Sequence, residues 1–463
     1  MKYCTQVSFP IVLALALLGG CAVGPNYRQP KTDVPAKWSA PVAGGETNLD
    51  SSITTWWKNF KDPHLDSLVE RAVKANHDLR IAGARVREAR GLYRIAWSQL
   101  RPTIDAGSSY VRQRLSQNQP IMGSMNLPSD LFENDVYQAG FDASWEIDVF
   151  GGKRRAIEAG KAEVTAAEYG RRNVLVTLLG EVARNYVETR GFQRRLEIAK
   201  RNLKTQEESL AIAQDRFKNG LTSDLDVQQA SALLANTRAA LPMLETGIQA
   251  SIHRLGVLLG QPPGALLTEL SKPEPIPAGP SKVPAGLPAD LLRRRPDIQQ
   301  AERQLAASMA RIGVATADLF PKFYLTGLAG LQSISASDFF APASKLSSVG
   351  PTVQWKIFDT GRSWSNIRVQ NARQEQSLAS YEKTVLTAFE EVENSLVAHA
   401  KEKSRRSSLD DAVKSSQNSL HLAQQLYTNG LAGFINVLDA ERSLFQAENA
   451  FAQSDQAQLL QHL

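Results

Sequence analysis

The segment Leu196–Phe217, with the sequence LEIAKRNLKTQEESLAIAQDRF, carries a large apolar residue at every seventh position. These residues are Leu196, Leu203, Leu210 and Phe217. Such a repeat predicts a helix with a seam against other helices. Because proline is absent from Ser129 to Leu241, the helix is predicted to run unbroken over 152–218. At a rise of ~1.5 Å per residue, a helix of that length would extend for about 100 Å.

The chain also repeats itself at a constant spacing. The segment Trp145–Gly151, WEIDVFG, aligns with Trp355–Gly361, WKIFDTG, at an offset of 210 residues. The heptad positions Leu203, Leu210 and Phe217 align with Val413, Leu420 and Tyr427 at the same offset. We therefore expect an internal two-fold repeat, in which each half runs helix, strand, loop, strand, long helix, turn and helix.

The N-terminus has the pattern of a bacterial lipoprotein signal. Lys2 is followed by an apolar stretch over 7–18 and then by Leu18-Gly19-Gly20-Cys21. This resembles a lipobox, which implies cleavage before Cys21 and attachment of diacylglycerol and an N-acyl chain to it. Ala22, rather than an aspartate, follows the cysteine and favours the outer membrane. The alternative is a plain secretory signal with a chance cysteine.

Four segments of about ten residues are predicted to be strands that cross a membrane obliquely. Their sequences alternate between apolar and polar side chains, and they cover 103–112, 136–147, 322–331 and 349–357. Aromatic residues near strand ends or at matched positions are expected at the membrane interface, namely Tyr110, Tyr137, Trp145 and Trp355. The alternative is a small soluble sheet packed on helices.

Four strands cannot close a barrel, and an open sheet edge in lipid would leave backbone groups without partners. Several chains are therefore required. Two chains would supply eight strands, whose interior fills with side chains, whereas three would supply twelve and could leave a lumen.

Several motifs together resemble those of outer membrane efflux lipoproteins, the OprM/NodT-like branch of the TolC superfamily of outer membrane factors. The motifs are GPNYRQP at 24–30, LRRRPDI at 292–298, YTNG at 427–430 and VLDAER at 437–442. The resemblance implies a homotrimer with a twelve-stranded β-barrel, a twelve-helix α-barrel and an equatorial belt. It also implies the exit duct of a tripartite pump, whose partners are a periplasmic adaptor and an inner-membrane RND-type transporter. The chain ends at Leu463, so a short C-terminal contribution to the belt is expected.

The expected fold is thus mainly α, with a long-helix α-barrel continuous with a trimeric membrane β-barrel. The predicted segments are a signal peptide (1–20), an equatorial strap (21–62), a helical part (63–101), a first hairpin (102–148), a long helical hairpin (149–260), a linker (261–288), a helical part (289–320), a second hairpin (321–358) and a second long helical hairpin (359–463).

The functional part is predicted at the turns Asn219-Gly220 and Asn429-Gly430, where glycine permits the positive φ of a sharp reversal. After the second turn, Ile435, Asp439 and Arg442 share one helical face. In a three-fold assembly, Asp439 would form a carboxylate ring beside an apolar ring of Ile435, and the resemblance implies a periplasmic gate there. The alternative for Asp439 is a simple exposed pair with Arg442.

Other residues near the turns have weaker predicted roles. Asp224 and Asp226 are candidates for supporting the gate, although helix N-capping explains Asp224 equally well. Leu221 and Leu431, together with the turn residues, are expected to contact the adaptor, and core packing is the alternative.

No pattern indicates an enzyme, a metal site or a cofactor other than the lipid. The six histidines are scattered, and neither a Gly-x-Ser-x-Gly motif nor a phosphate-binding loop is present. The net charge is +6, with no basic run carrying interleaved aromatics, so nucleic acid is not an expected partner. The sequence favours a passive gated channel for the efflux of drugs or other small toxic compounds. The alternatives are the duct of a type I-like secretion system and a lipid-anchored periplasmic coiled-coil scaffold without a pore.

Overall fold

The computed structural model describes residues 22–39, 51–114, 116, 133–279 and 288–461. The predicted signal peptide and Cys21 lie outside these ranges. The chain divides into two compact units. Unit 1 contains residues 1–31, 85–168 and 300–382, and unit 2 contains residues 32–84, 169–299 and 383–463.

The helices are numbered in chain order, and short 3₁₀ segments occur at Ser51–Phe60, Pro263–Leu266 and Pro342–Ser344. The α-helices are α1 (Pro63–Ala75), α2 (His77–Ser98), α3 (Gly152–Lys218), α4 (Asp224–Leu258), α5 (Leu267–Leu270), α6 (Pro288–Arg294), α7 (Pro296–Ala317), α8 (Arg362–Thr428) and α9 (Phe434–Leu460). The strands are β1 (Thr103–Arg114), β2 (Glu133–Ile147), β3 (Lys322–Ser333) and β4 (Lys345–Gln354).

Unit 1 contains an antiparallel sheet in the order β1-β2-β3-β4. Its register gives the sheet one apolar and one polar face, because residues directly opposite each other point the same way. Trp145 opposes Leu325, which in turn opposes Pro351. On the other face, Ser144 opposes Thr326. In β1, Ile104 opposes Ala143 on the apolar face, so the alternation predicted from the sequence is present across all four strands.

The boundaries of the last strand differ from the prediction. β4 begins at Lys345 and ends at Gln354, so Trp355 and Ile357 follow the strand rather than belong to it. The strand ends there because Gln354 pairs with Lys322, the first residue of β3, so that no strand residue lies opposite Trp355. The Trp355 indole Nε1 donates to the carbonyl of Leu319 at 3.1 Å. Trp145 makes the corresponding bond to the carbonyl of Leu100 at 2.8 Å. Each indole thus satisfies a backbone carbonyl two residues before Pro102 or Pro321.

Both long helices begin beside an aspartate and a glycine. Asp148 accepts hydrogen bonds from the amides of Lys153 at 3.0 Å and Arg154 at 2.9 Å. Asp359 accepts one from the amide of Ser363 at 2.9 Å. Carboxylates at these positions satisfy helix amides that lack an intrahelical partner. Each helix then continues for 67 residues, over Gly152–Lys218 and Arg362–Thr428, and for α3 this is the range that the sequence predicts.

The largest apolar cluster of unit 2 joins α1 to α3, α4 and the segment after α4. It includes the fully buried residues Leu65, Leu68, Val182, Tyr186, Ile252, Leu255 and Leu266. Asp62 lies at the polar edge of this cluster and joins α1 to α3. It caps α1 through the amides of His64 and Leu65, and its carboxylate accepts a hydrogen bond from the Tyr186 hydroxyl at 2.7 Å. Trp56 and Trp57 pack against the cluster.

Within the described part of the chain, no helix combines the length and the apolar character needed to span a membrane.

Candidate functional site at the helix turns

The two turns at the ends of the long helices close with the same backbone hydrogen bonds. In the first, the amide of Gly220 donates to the carbonyl of Phe217 at 2.9 Å, and the amide of Leu221 donates to the carbonyl of Arg216 at 2.8 Å. In the second, Gly430 donates to Tyr427 at 3.0 Å and Leu431 to Leu426 at 2.8 Å. Both glycines have positive φ, 70° and 73°. This is the Schellman motif, which ends a helix with a residue in the left-handed region.

The second turn closes over an apolar cluster, whereas the first does not. Tyr427 and Phe434 flank the second turn, with ring centroids 4.9 Å apart, and Phe434 is only 2% exposed. The cluster draws on all four helices that meet here and includes Ala213, Ala230, Leu420, Ala423, Val437, Leu438 and Leu444. The start of α9 is therefore fixed by burial of its first residue.

Arg216 links α3 to the second turn. Its Nη1 donates to the carbonyl of Thr428 at 3.2 Å, and its guanidinium lies 4.8 Å from the centre of the Tyr427 ring. Burial is the main reason that the pKa of Tyr427 lies above its ordinary value. The seven-residue repeat does not predict this role of Arg216, because the repeat includes only the neighbouring apolar residue Phe217.

The acidic residues after the first turn make local bonds. The N-cap of α4 is Ser223, so Asp224 is the first helical residue and not the cap, contrary to that interpretation of the sequence. Its carboxylate accepts from Gln228 Nε2 at 3.3 Å. Asp226 accepts from the hydroxyl of Thr222. Both carboxylates lie in the first turn of α4, where the helix dipole favours negative charge.

The three residues predicted for the gate lie together on one exposed face of α9. Ile435 is 56% exposed, and Asp439 and Arg442 are exposed as well. The opposite face, with Phe434, Leu438 and Glu441, is buried. Among the residues that the structure describes, no ion pair joins Asp439 to Arg442, so the simple pair considered as the alternative is not formed here.

The residues predicted to contact an adaptor are exposed at the turns. Leu221 is 64% and Leu431 74% exposed, so neither side chain packs into a core of this chain. Asn219 is also exposed, and its side-chain amide donates to the carbonyl of Asp215 at 2.7 Å. Asn429 follows α8 and is exposed as well. Two leucines left in solvent beside glycine turns form small apolar patches.

A row of polar contacts joins α3 to α9 in antiparallel register. Ser209 donates to Glu441, and Asn202 donates to Glu448 at 2.9 Å. The spacing is seven residues on both helices, so this row runs beside the apolar heptad on α3. Glu441 is 2% exposed, and its burial raises its pKa to about 7, while the bond from Ser209 acts in the opposite direction. The sequence analysis missed both glutamates.

In unit 1, a buried arginine holds the segment that follows Cys21. Arg155 Nε donates to the carbonyl of Val23 at 3.1 Å, and its Nη2 donates to the carbonyl of Gly24 at 3.2 Å and to Asn26 Oδ1 at 2.7 Å. Ala22 lies very close to Gly151, since a Cβ atom added to Gly151 would be 2.5 Å from the Cα of Ala22. The chain is thus held in place directly after the predicted lipidation residue.

Two of the predicted interface aromatics, one from β1 and one from β2, lie together. Tyr110 and Tyr137 are cross-strand partners with ring centroids 5.0 Å apart, and the Tyr110 hydroxyl donates to Asp135 at 3.0 Å. In the described ranges, no group of three or more His, Cys, Asp or Glu side chains is placed to hold a metal ion.

Comparison with known proteins gives a consistent result over nearly the whole chain. The family model for outer membrane efflux proteins matches residues 68–261 and 287–463. The solvent efflux pump outer membrane protein SrpC of Pseudomonas putida is 35% identical over 442 residues, which cover 94% of this chain and 92% of SrpC. Nodulation protein T of Rhizobium leguminosarum bv. trifolii is 32% identical, with 95% and 92% covered.

Solved structures agree with these sequence relatives. The outer-membrane channel OprN has a TM-score of 0.87 and 37% sequence identity, with 96% of this chain and 97% of that chain covered. Because the alignment with OprN covers nearly all of both chains, the similarity extends to both units.

Proposed function

The chain belongs to the outer membrane efflux protein family, and we propose that three copies of it form the gated exit duct of a tripartite efflux pump. The protein is located in the outer membrane and functions in efflux, as its relatives do. The family consists of outer membrane channel proteins rather than enzymes.

The sheet supports the proposed trimer. Its edge strands are β1 and β4, and its apolar face carries large exposed side chains such as Ile104, Phe141 and Val349. In lipid, a sheet edge must be paired, so β4 of one copy would pair with β1 of the next. Three copies would supply twelve strands and leave a lumen. The residue before Ala22 would carry the lipid anchor.

The gate would be formed by the exposed face of α9. The single observation that carries this proposal is that Ile435, Asp439 and Arg442 are exposed while the other face of the same helix is packed. Around a three-fold axis, the three copies of Asp439 would form a ring of like charges and those of Ile435 an apolar constriction. Arg442 would supply the positive charge that lowers the repulsion within the ring.

The partners would be a periplasmic adaptor and an inner-membrane transporter of the RND type. Relatives are named as components of efflux pumps, for solvents in the case of SrpC. The adaptor would contact the turns through Leu221 and Leu431, whose exposure leaves apolar surface available. The exported compounds would be drugs or other small toxic molecules.

Planar-bilayer recordings on the purified full-length protein test both levels of the proposal. The combined substitutions Ile435→Ala and Asp439→Ala are expected to raise the closed-state conductance severalfold, because they remove both rings. Matched controls are Leu225→Ala and Gln229→Ala, which change the positions 210 residues earlier.

The outcomes separate the channel from its gate. Absence of pore-like current in the wild type and in the gate variant would overturn the channel. A pore whose closed-state conductance is unchanged by the gate variant, or is raised equally by the control, would overturn only the gate.

A further inference from the structure

The row of polar contacts between α3 and α9 contains two acids with different partners, although both are buried and one heptad apart. Glu448 has a donor for each oxygen, Arg201 at 2.7 Å and Asn202 at 2.9 Å. Glu441, which lies nearer the turn, has a single hydrogen bond within the described part of the chain, from Ser209. A buried carboxylate normally needs a cation or several donors. Glu448 meets that requirement and Glu441 does not.

Among the residues that the structure describes, no cation from a surrounding helix pairs with Glu441. On α3, Arg201 bonds to Glu448, and Arg216 lies against Tyr427. From α8, the titratable side chain in the same cluster is Tyr427, and the α4 acid that acts on Tyr427 is Asp226, which is bonded to Thr222. Within the described residues, Glu441 therefore forms no ion pair.

A neighbouring side-chain amide, that of Gln206, also lacks hydrogen-bond partners within the described residues. Both polar side-chain atoms of Gln206 are buried and have no hydrogen-bond partner among the described residues. Gln206 lies one turn from Ser209 on the face of α3 that receives α9. A protonated Glu441 has a hydroxyl to donate, and the Gln206 carbonyl oxygen is an acceptor without a donor.

We propose that Glu441 is a positioning residue for the gate, and that it holds the start of α9 against α3 only while its carboxyl carries a proton. The inference rests on the proposed function, since Ile435 and Asp439 lie on the other face of the same stretch of helix. When Glu441 ionises, the seam contains a buried carboxylate without a counter-charge. The start of α9 then leaves α3, and the constriction formed by Ile435 and Asp439 widens.

The direction of the pH effect follows from proton linkage. Burial raises the pKa of Glu441 to about 7 in the packed state. Once α9 has moved away and the carboxyl is hydrated, its pKa returns to the ordinary, lower value. The packed state therefore binds the proton more tightly than the released state. The free-energy preference for the packed state that comes from this proton is complete in acid and is lost as pH rises towards 7. The gate is predicted to be tighter in acid than at neutral or mildly alkaline pH.

Single-channel recordings at different pH on the periplasmic side test this with the full-length protein. Between about pH 5 and about pH 8, the wild-type open probability is expected to rise about tenfold or more. Glu441→Gln, which cannot ionise, should remain at the acid level throughout. Glu448→Gln is the matched control from the same seam, and it should keep the wild-type pH profile even if its open probability differs. A pH effect that persists in Glu441→Gln, or that is lost equally in Glu448→Gln, would overturn the proposal.

Hydrogen exchange on the wild type provides a second test, which needs neither a variant nor a pore. After correction for intrinsic exchange, amides at the start of α9 should lose protection between about pH 5 and about pH 8, whereas those near Glu448 should keep it. Equal changes in both segments would overturn the inference. If no pore is found at all, the proposed function fails, and the exchange result still decides whether Glu441 holds the helix.

Discussion

The turns at Gly220 and Gly430 have nearly the same φ, 70° and 73°, and the same pair of closing hydrogen bonds. The two turns differ in the residues that surround them, as a comparison of matching positions 210 residues apart shows. The first helical residue after the first turn is Asp224, which is exposed, and its counterpart after the second turn is Phe434, which is buried. The same backbone motif is thus held by local polar bonds in one place and by apolar burial in the other.

This difference shows what each turn depends on. The first turn has its own polar bonds, between Thr222 and Asp226 and between Asp224 and Gln228. The second has Ala432 and Asn436 where the first has Thr222 and Asp226, and it depends on its packing against α3. Release of α9 from α3 would therefore change the second turn and leave the first intact.

The largest effect is expected from Phe434→Ala. Removal of a buried phenylalanine typically costs about 3–5 kcal/mol, and Phe434 also packs against the ring of Tyr427. The matched change Asp224→Ala removes an exposed side chain, so it should alter the free energy of unfolding by about 0.5 kcal/mol or less. Urea denaturation of the detergent-solubilised protein measures both. Similar losses for the two variants would show that the turns are held in the same way.

The backbone of these turns could be predicted from the sequence, because its causes are local. An Asn-Gly pair at the end of a long proline-free run with a seven-residue repeat is sufficient to predict a helix, a left-handed residue and a reversal. The predicted start and end of α3, at Gly152 and Lys218, agree with the structure. The alternation of strand residues predicted the two faces of the sheet for the same reason.

The contacts that distinguish the turns could not be predicted in this way. Glu441 lies within the motif VLDAER, where exposed charges are usual, and only the approach of α3 buries it. The role of Arg216 depends on Tyr427, which is more than 200 residues away in sequence. Likewise, the end of β4 depends on where its partner strand β3 begins, at Lys322. Each of these outcomes depends on which faces meet, and local sequence patterns do not show which distant segments come into contact.

An intermediate effect is expected from alanine at the two turn glycines. Gly220→Ala and Gly430→Ala should each cost about 1–2 kcal/mol, because a Cβ disfavours the left-handed region. The costs should be equal, since a Cβ would meet no atom within 4 Å at Gly220 and only the end of the Arg216 side chain, at 4.0 Å, at Gly430. Gly433→Ala is the control, because its φ is −73° and alanine tolerates that value. Thermal denaturation of the three variants would test this, and a clearly larger loss at Gly430 would mean that its neighbours, rather than φ, set the cost.

The smallest effect is expected when the first turn receives the residues of the second. The double substitution Thr222→Ala and Asp226→Asn removes the bond between the two side chains and one charge from the first turn of α4. Both side chains are only partly buried, so water replaces much of what is lost, and the cost should be about 0.5–1 kcal/mol. Limited proteolysis at the first turn and urea denaturation measure the local and the global change. If the double variant instead lost as much stability as Phe434→Ala, the Thr222–Asp226 bond and not Gly220 would hold the first turn. The two turns would then differ in their backbone requirement as well as in their packing.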